Sequence, residues 1–138
     1  MINGITRALD DAKTQFGMSS ELIMCFLRHL PEAQAFDTLQ QAEPHLDKII
    51  GIGLDSSEQG HPPAKFERVF AKAKSMGLLL VAHAGEEGPA QNVIDALDML
   101  HVDRIDHGVR ASDDHQLLTR LAKEKIALTV CPLSNTRL

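Results

Sequence analysis

The sequence predicts an α/β protein of about five consecutive βα units, with parallel strands in sequential order. Three observations predict it. Helical and strand-like hydrophobic periods alternate along the chain. Candidate strands start near residues 22, 49, 79, 104 and 127, a repeat of about two dozen residues that suits βα units. Polar residues able to do chemistry gather where those strands end.

The elements follow in order. Ile5, Ala8, Leu9, Ala12 and Phe16 have helical spacing, and Gly17 stands where such a helix would stop. The apolar run from Leu22 to Leu27 suits a buried strand. Pro31 opens a helix carrying Ala35, Phe36 and Leu39. Residues Lys48 to Leu54 read as the second strand. Pro62 and Pro63 precede a helix with Phe66, Val69, Phe70 and Ala73 on one face. Met76 and Gly77 end it, and Leu78 to Ala82 form the third strand. Pro89 starts a helix with Val93, Ile94, Leu97 and Leu100. Asp103 to Asp106 is a short fourth strand. Ser112 is placed to cap a helix bearing Leu117, Leu118 and Leu121, and Ile126 to Val130 is the fifth strand.

The 138 residues are 43% hydrophobic and 24% charged, enough apolar material for one domain over residues 1–138. No linker or low-complexity stretch divides them. Five Phe with neither Trp nor Tyr argue against a base-stacking nucleic-acid surface, and the net charge of −5 argues against a phosphate backbone as partner. Cys25 and Cys131 lie far apart in apolar runs, which predicts two reduced thiols near the core. The N-terminus lacks a signal-peptide pattern and no apolar run reaches membrane-spanning length, so a cytoplasmic location without a membrane partner is expected.

Two architectures suit this pattern. One is a complete five-stranded doubly wound sheet, which binds a small ligand without catalysis. The other is part of a (β/α)8 barrel, which takes roughly 250 residues. The chain begins with a helix and stops a few residues past its last strand. Both ends fit a piece cut from a longer repeat, so a partial barrel is expected, with self-association through its exposed barrel edges.

In either architecture ligands bind at the C-terminal ends of the strands. The third strand runs into His83-Ala84-Gly85-Glu86. A neutral imidazole there is a good zinc ligand, and Glu86 can face the same cavity as a proton donor. On its own this spacing favours a buried histidine and a carboxylate helped by a helix N-terminus. His107, placed the same way on the next strand, shifts the balance, because neighbouring strands lie about 5 Å apart. His29 lies at the same edge. Arg28 beside it is read as a structural charge paired with a carboxylate, and His61 as part of a surface loop. His45, His101 and His115 fall elsewhere. Gly51-Ile52-Gly53 lacks a third glycine, Ser134 is not in an esterase elbow, and neither H-x-E nor P-C-x-x-C occurs.

Four stretches in series, GIGLDSSEQGHPPAKF, VAHAGEE, RIDHGV and VCPLSN, resemble the adenosine/adenine deaminase family, and the likeness extends to CFLRHLPE. The stretch GLDSSEQGHPP resembles the adenine branch. The resemblance implies a zinc-dependent (β/α)8 purine deaminase that turns adenine into hypoxanthine and ammonia, with adenosine to inosine as the alternative. The substrate would be a small purine. The five strands would be the third to seventh of the barrel. It further implies that His83 is a zinc ligand, that Glu86 protonates the ring at N1, that His107 orients the attacking water, and that the Ser56 amide holds N3. The family also takes two ligands from a His-x-His and one from an aspartate on its last strand. This chain has no His-x-His, so one Zn2+ ligand of four is expected here and the chain alone is expected to be inactive.

Overall fold

A computed structural model describes residues 1–137. Five strands, β1 (Ile23–Leu27), β2 (Gly51–Asp55), β3 (Leu79–Ala84), β4 (Arg104–His107) and β5 (Ala127–Thr129), form one sheet. The spatial order is β1-β2-β3-β4-β5 and every pairing is parallel. Between them run α1 (Ile2–Phe16), α2 (Glu32–Ala42), α3 (Glu67–Ser75), α4 (Ala90–Asp98) and α5 (His115–Glu124), and the short α6 (Pro132–Asn135) follows β5. This is the α/β architecture of consecutive barrel units. The doubly wound alternative is overturned, because such a sheet reverses its order at a switch point and this one does not.

The helix layer covers one face of the sheet. Ile52, Leu54, Leu80, Ala82, Ala84 and Ile105 alternate along their strands and share a core with Leu39, Phe66, Val69, Phe70, Val93, Leu117 and Leu121. Residues of the opposite parity, among them Cys25, Gly53, Asp55, His83 and Asp106, face the other way. The helices ride on paired features that the sequence announces: Pro31 and Pro89 stand at the N-caps of α2 and α4, and Gly17 ends α1 with φ of 66°.

Four expectations need correction. Only Phe26 of β1 is buried, since the strand has one neighbour and its Cys25 face is not covered by helices. The thiols are accordingly not in the core: Cys25 is exposed and Cys131 half-buried. The predicted stripe of α1 does not pack as a unit; no residue of α1 is buried and Phe16 is 72% exposed. Asp114, not Ser112, caps α5, accepting from the backbone N–H of Gln116 at 2.8 Å and of Leu117 at 3.1 Å. Ser112 instead donates to the Val109 carbonyl inside a 3-10 turn that delays the helix. Among the described residues no helix is long and apolar enough to cross a membrane.

Candidate active site

Parallel register does the first assembly. His83 of β3 lies beside Asp106 of β4, and Ala84 beside His107. Asp55 closes β2 on the same face as His83. The His83 Nε2 is consequently 3.3 Å from Asp55 Oδ1 and 3.9 Å from Asp106 Oδ2. Strict alternation would send His107 with Ala84 toward the helices. Its φ of 69° breaks the alternation. The His107 ring ends with its centroid 4.9 Å from that of His83, the planes inclined at 73°.

Glu86 arrives from the turn after β3. Gly85 makes the turn with φ of 68°, and a Cβ there would stand 2.7 Å from Val93 Cγ2. Glu86 Oε1 is 3.2 Å from His107 Nδ1. Asn135 of α6 bridges the two, its Nδ2 lying 3.0 Å from His107 Nδ1 and 3.4 Å from Glu86 Oε1. His83, Glu86 and His107 thus bring one ligand atom each within 4.8 Å of one another, a group able to hold a metal ion. Two imidazoles and a carboxylate are the donor chemistry that zinc accepts. A cleft of about 470 Å3 opens beside Glu86 and Asn135.

The remaining expected residues fall around this centre. Ser56 follows Asp55 with φ of 82°, a left-handed turn at the site's margin, and its Oγ shares a hydrogen bond of 2.8 Å with His29 Nδ1. His61 contributes only backbone: its N–H donates to the Glu58 carbonyl and its own carbonyl accepts from Arg28 Nε. Arg28 is fully buried, and its direct partners are carbonyls rather than the expected carboxylate. Nε donates to His61 at 2.9 Å and Nη1 to His83 at 2.8 Å. Burial pushes the guanidinium below its ordinary pKa, and the nearby charges of Glu58 and Glu87 partly oppose that.

Glu58 and Asn135 are the members that sequence reasoning missed. Glu58 is 4% exposed, yet its carboxylate accepts five hydrogen bonds. Oε1 takes the Gly85 N–H at 2.9 Å and Asn92 Nδ2 at 2.9 Å. Oε2 takes the N–H groups of Glu86, Glu87 and Gly88 at 2.8, 2.9 and 3.0 Å. Burial acts to raise the Glu58 pKa, but the donors from Asn92, Gly88, Gly85 and Glu86 outweigh it and the net direction is downward. The available signal was the pair of glycines bracketing Glu86 and Glu87, which frees backbone N–H groups to gather on an anion.

The adenosine deaminase family model matches residues 1–138. An adenine deaminase of Ralstonia pickettii is 67% identical over all of this chain and 41% of its own length. One from Vibrio parahaemolyticus is 61% identical, again over the whole chain and 41% of its own length. The chain thus spans about two fifths of the curated relatives it matches. Among solved structures, an adenine deaminase from Arthrobacter aurescens superposes with a TM-score of 0.95 at 50% identity, over 99% of this chain and 42% of that one. An amidohydrolase from Burkholderia ambifaria with bound zinc gives 0.89 at 34% identity, over 95% and 36%. Sequence, strand order and the His83–Glu86–His107 cluster agree, and the chain belongs to the adenosine deaminase family.

Proposed function

We propose that this chain forms consecutive βα units of a zinc-dependent barrel enzyme that hydrolyses adenine to hypoxanthine and ammonia. The observation that carries this is the convergence of His83, Glu86 and His107 at one end of adjacent strands. Relatives named adenine deaminase at 67% and 61% identity support the free base over the nucleoside as substrate. The purine is the partner; a cytoplasmic location fits such a role.

The reaction exchanges an exocyclic amine for an oxygen. Water adds at C6, a proton reaches N1, and C6 then releases ammonia. Glu86 is the group for N1, since its carboxyl sits against His107, 3.2 Å from Nδ1, rather than in bulk water. His107 accepts a hydrogen bond from the attacking water and orients it toward C6. His83 is the residue that would hold the zinc, and the carboxylates of Asp55 and Asp106, 3.3 and 3.9 Å from its Nε2, make the same place attractive to a cation. The ion supplies the Lewis acidity that makes water nucleophilic near neutral pH. The Ser56 backbone N–H, at the left-handed turn after β2, would meet N3 and set the purine's register. A catalytic zinc takes about three protein ligands; with Glu86 given to the proton and His107 to the water, the others would come from the rest of the barrel. The 138-residue piece alone is then expected to be inactive and to associate through its β1 and β5 edges.

Zinc content and ammonia release from adenine and from adenosine, measured on the protein at its full natural length, test this. Stoichiometric zinc with turnover of adenine is expected, and Glu86→Gln should lower kcat by about 10²- to 10⁴-fold, the usual worth of a positioned acid. Unchanged turnover in Glu86→Gln would remove Glu86 from the mechanism, and no ammonia from either purine would remove the assignment.

A further inference from the structure

The geometry points to Glu58 as the positioning residue that aims Glu86. This rests on the reading of Glu86 as the proton donor given above. The turn that carries Glu86 makes no use of sheet pairing, for β3 ends at Ala84. The Arg110 N–H holds the Gly85 carbonyl at 2.9 Å, and every N–H of the turn goes to one side chain from the neighbouring strand's loop. Four successive backbone N–H groups, Gly85 to Gly88, close on the Glu58 carboxylate at 2.8 to 3.0 Å. A carboxylate is the strong acceptor for such a nest, and the bonds are charge-assisted.

The turn is shaped around that carboxylate. A Cβ on Gly88 would stand 2.9 Å from Glu58 Oε1 and would strike the Asn92 amide. The grip is also reciprocal. The Glu87 carboxylate returns to the Glu58 loop, taking the Ser57 hydroxyl at 2.7 Å and the Glu58 N–H at 3.2 Å. On the near side of the turn, Arg28 holds the His83 carbonyl. His83 and Glu86 are therefore set from opposite sides by two buried charged groups, neither of which touches the cluster atoms directly. Glu58 acts through the backbone of residue 86, so its loss should spoil orientation more than substrate binding.

The test uses the full-length, zinc-loaded protein with Glu58→Gln, Glu58→Asp and Asn92→Ala, read by steady-state kinetics and by amide exchange over residues 85–88. A glutamine keeps one acceptor oxygen but turns an NH2 group toward N–H donors. Glu58→Gln should accelerate exchange at those four amides by roughly 10- to 100-fold, the worth of a charged hydrogen bond. It should lower kcat by about 10²-fold, as for a misplacement near 1 Å, with KM within about threefold. Glu58→Asp should recover at least tenfold of that loss. If Glu58→Gln does not fold, Asn92→Ala decides: it removes one donor of five, and a three- to tenfold fall in kcat with faster exchange is expected. Faster exchange with kcat unchanged makes Glu58 a purely structural acceptor and overturns the proposal, as does a fall in kcat without any change in exchange. Normal wild-type turnover with Glu86→Gln fully active sinks the role of Glu86, while the exchange data still report whether the clamp exists.

Discussion

Replacing Arg28 with methionine tests how the site's floor is held. The guanidinium is fully buried and donates to the carbonyls of His61 and His83. Methionine fills much of the stem's volume and donates nothing. Two carbonyls then lose a charged donor, at about 1.5–3 kcal/mol each, or about 3–6 kcal/mol together. One term runs the other way. Arg28 Nη2 is buried without a hydrogen-bond partner, and removing an unsatisfied donor returns about 1–3 kcal/mol. The net loss centres on about 2–3 kcal/mol, roughly a hundredfold in the folding equilibrium. Urea unfolding of the full-length protein measures it. With a slope of about 1–3 kcal/mol per molar, the midpoint should fall by roughly 1–2 M. Arg28→Lys keeps the charge but not the fork, reaches one carbonyl, and should cost about half as much. A loss under about 0.5 kcal/mol for the methionine variant would refute this reasoning. Equal losses for lysine and methionine would show that geometry at the fork is not what matters.

Two further predictions follow from the turn after β3. Gly85→Ala combines a left-handed φ with a Cβ 2.7 Å from Val93 Cγ2, so it should destabilise by about 2–4 kcal/mol. A double-mutant cycle with Val93→Ala should recover the steric share alone; no coupling in that cycle would place the cost elsewhere. Glu58 makes stability depend on pH. Its pKa in the folded protein lies below the unfolded value of about 4.3, so its contribution is whole above that value and is lost as pH falls through the lower folded one. Unfolding curves from pH 6 down to about pH 3 should show that loss, and Glu58→Gln should flatten it.

Much of the fold is legible because two periods rarely coincide by accident. The strand runs ending near His83 and His107 put two histidines at one edge in the sequence itself; parallel register sets them one step apart, and the left-handed φ of His107 then brings its ring to His83. What stays hidden is what depends on distant backbone. Glu58 reads as one more polar residue in SSEQG, because its donors lie 27 to 34 residues further on. Arg28 is taken for half of an ion pair because carbonyl acceptors leave no mark on a sequence. Cys25 sits in an apolar run, and that run cannot say which of its faces the helices leave bare. Ser112 is a sound N-cap by residue type; the 3-10 turn that pre-empts it arises from the left-handed Gly108 before it.

The address system formed by Glu58 also sets where the chain tolerates a change in length. One carboxylate meets four consecutive amides, so a residue inserted anywhere from Gly85 to Gly88 would slip every donor by one place. The stretch from Asp55 to Glu58 is equally fixed, since three steps must carry the chain from the His83 contact to the nest. Two residues past Glu58, Gly60 stands in open space with φ of 75° and nothing near its missing side chain. An insertion at Gly60 would cost the Glu58–His61 backbone hydrogen bond of 3.1 Å and leave all four donors of the turn at 85–88 in register, so loop-length variation among relatives of this chain should begin there.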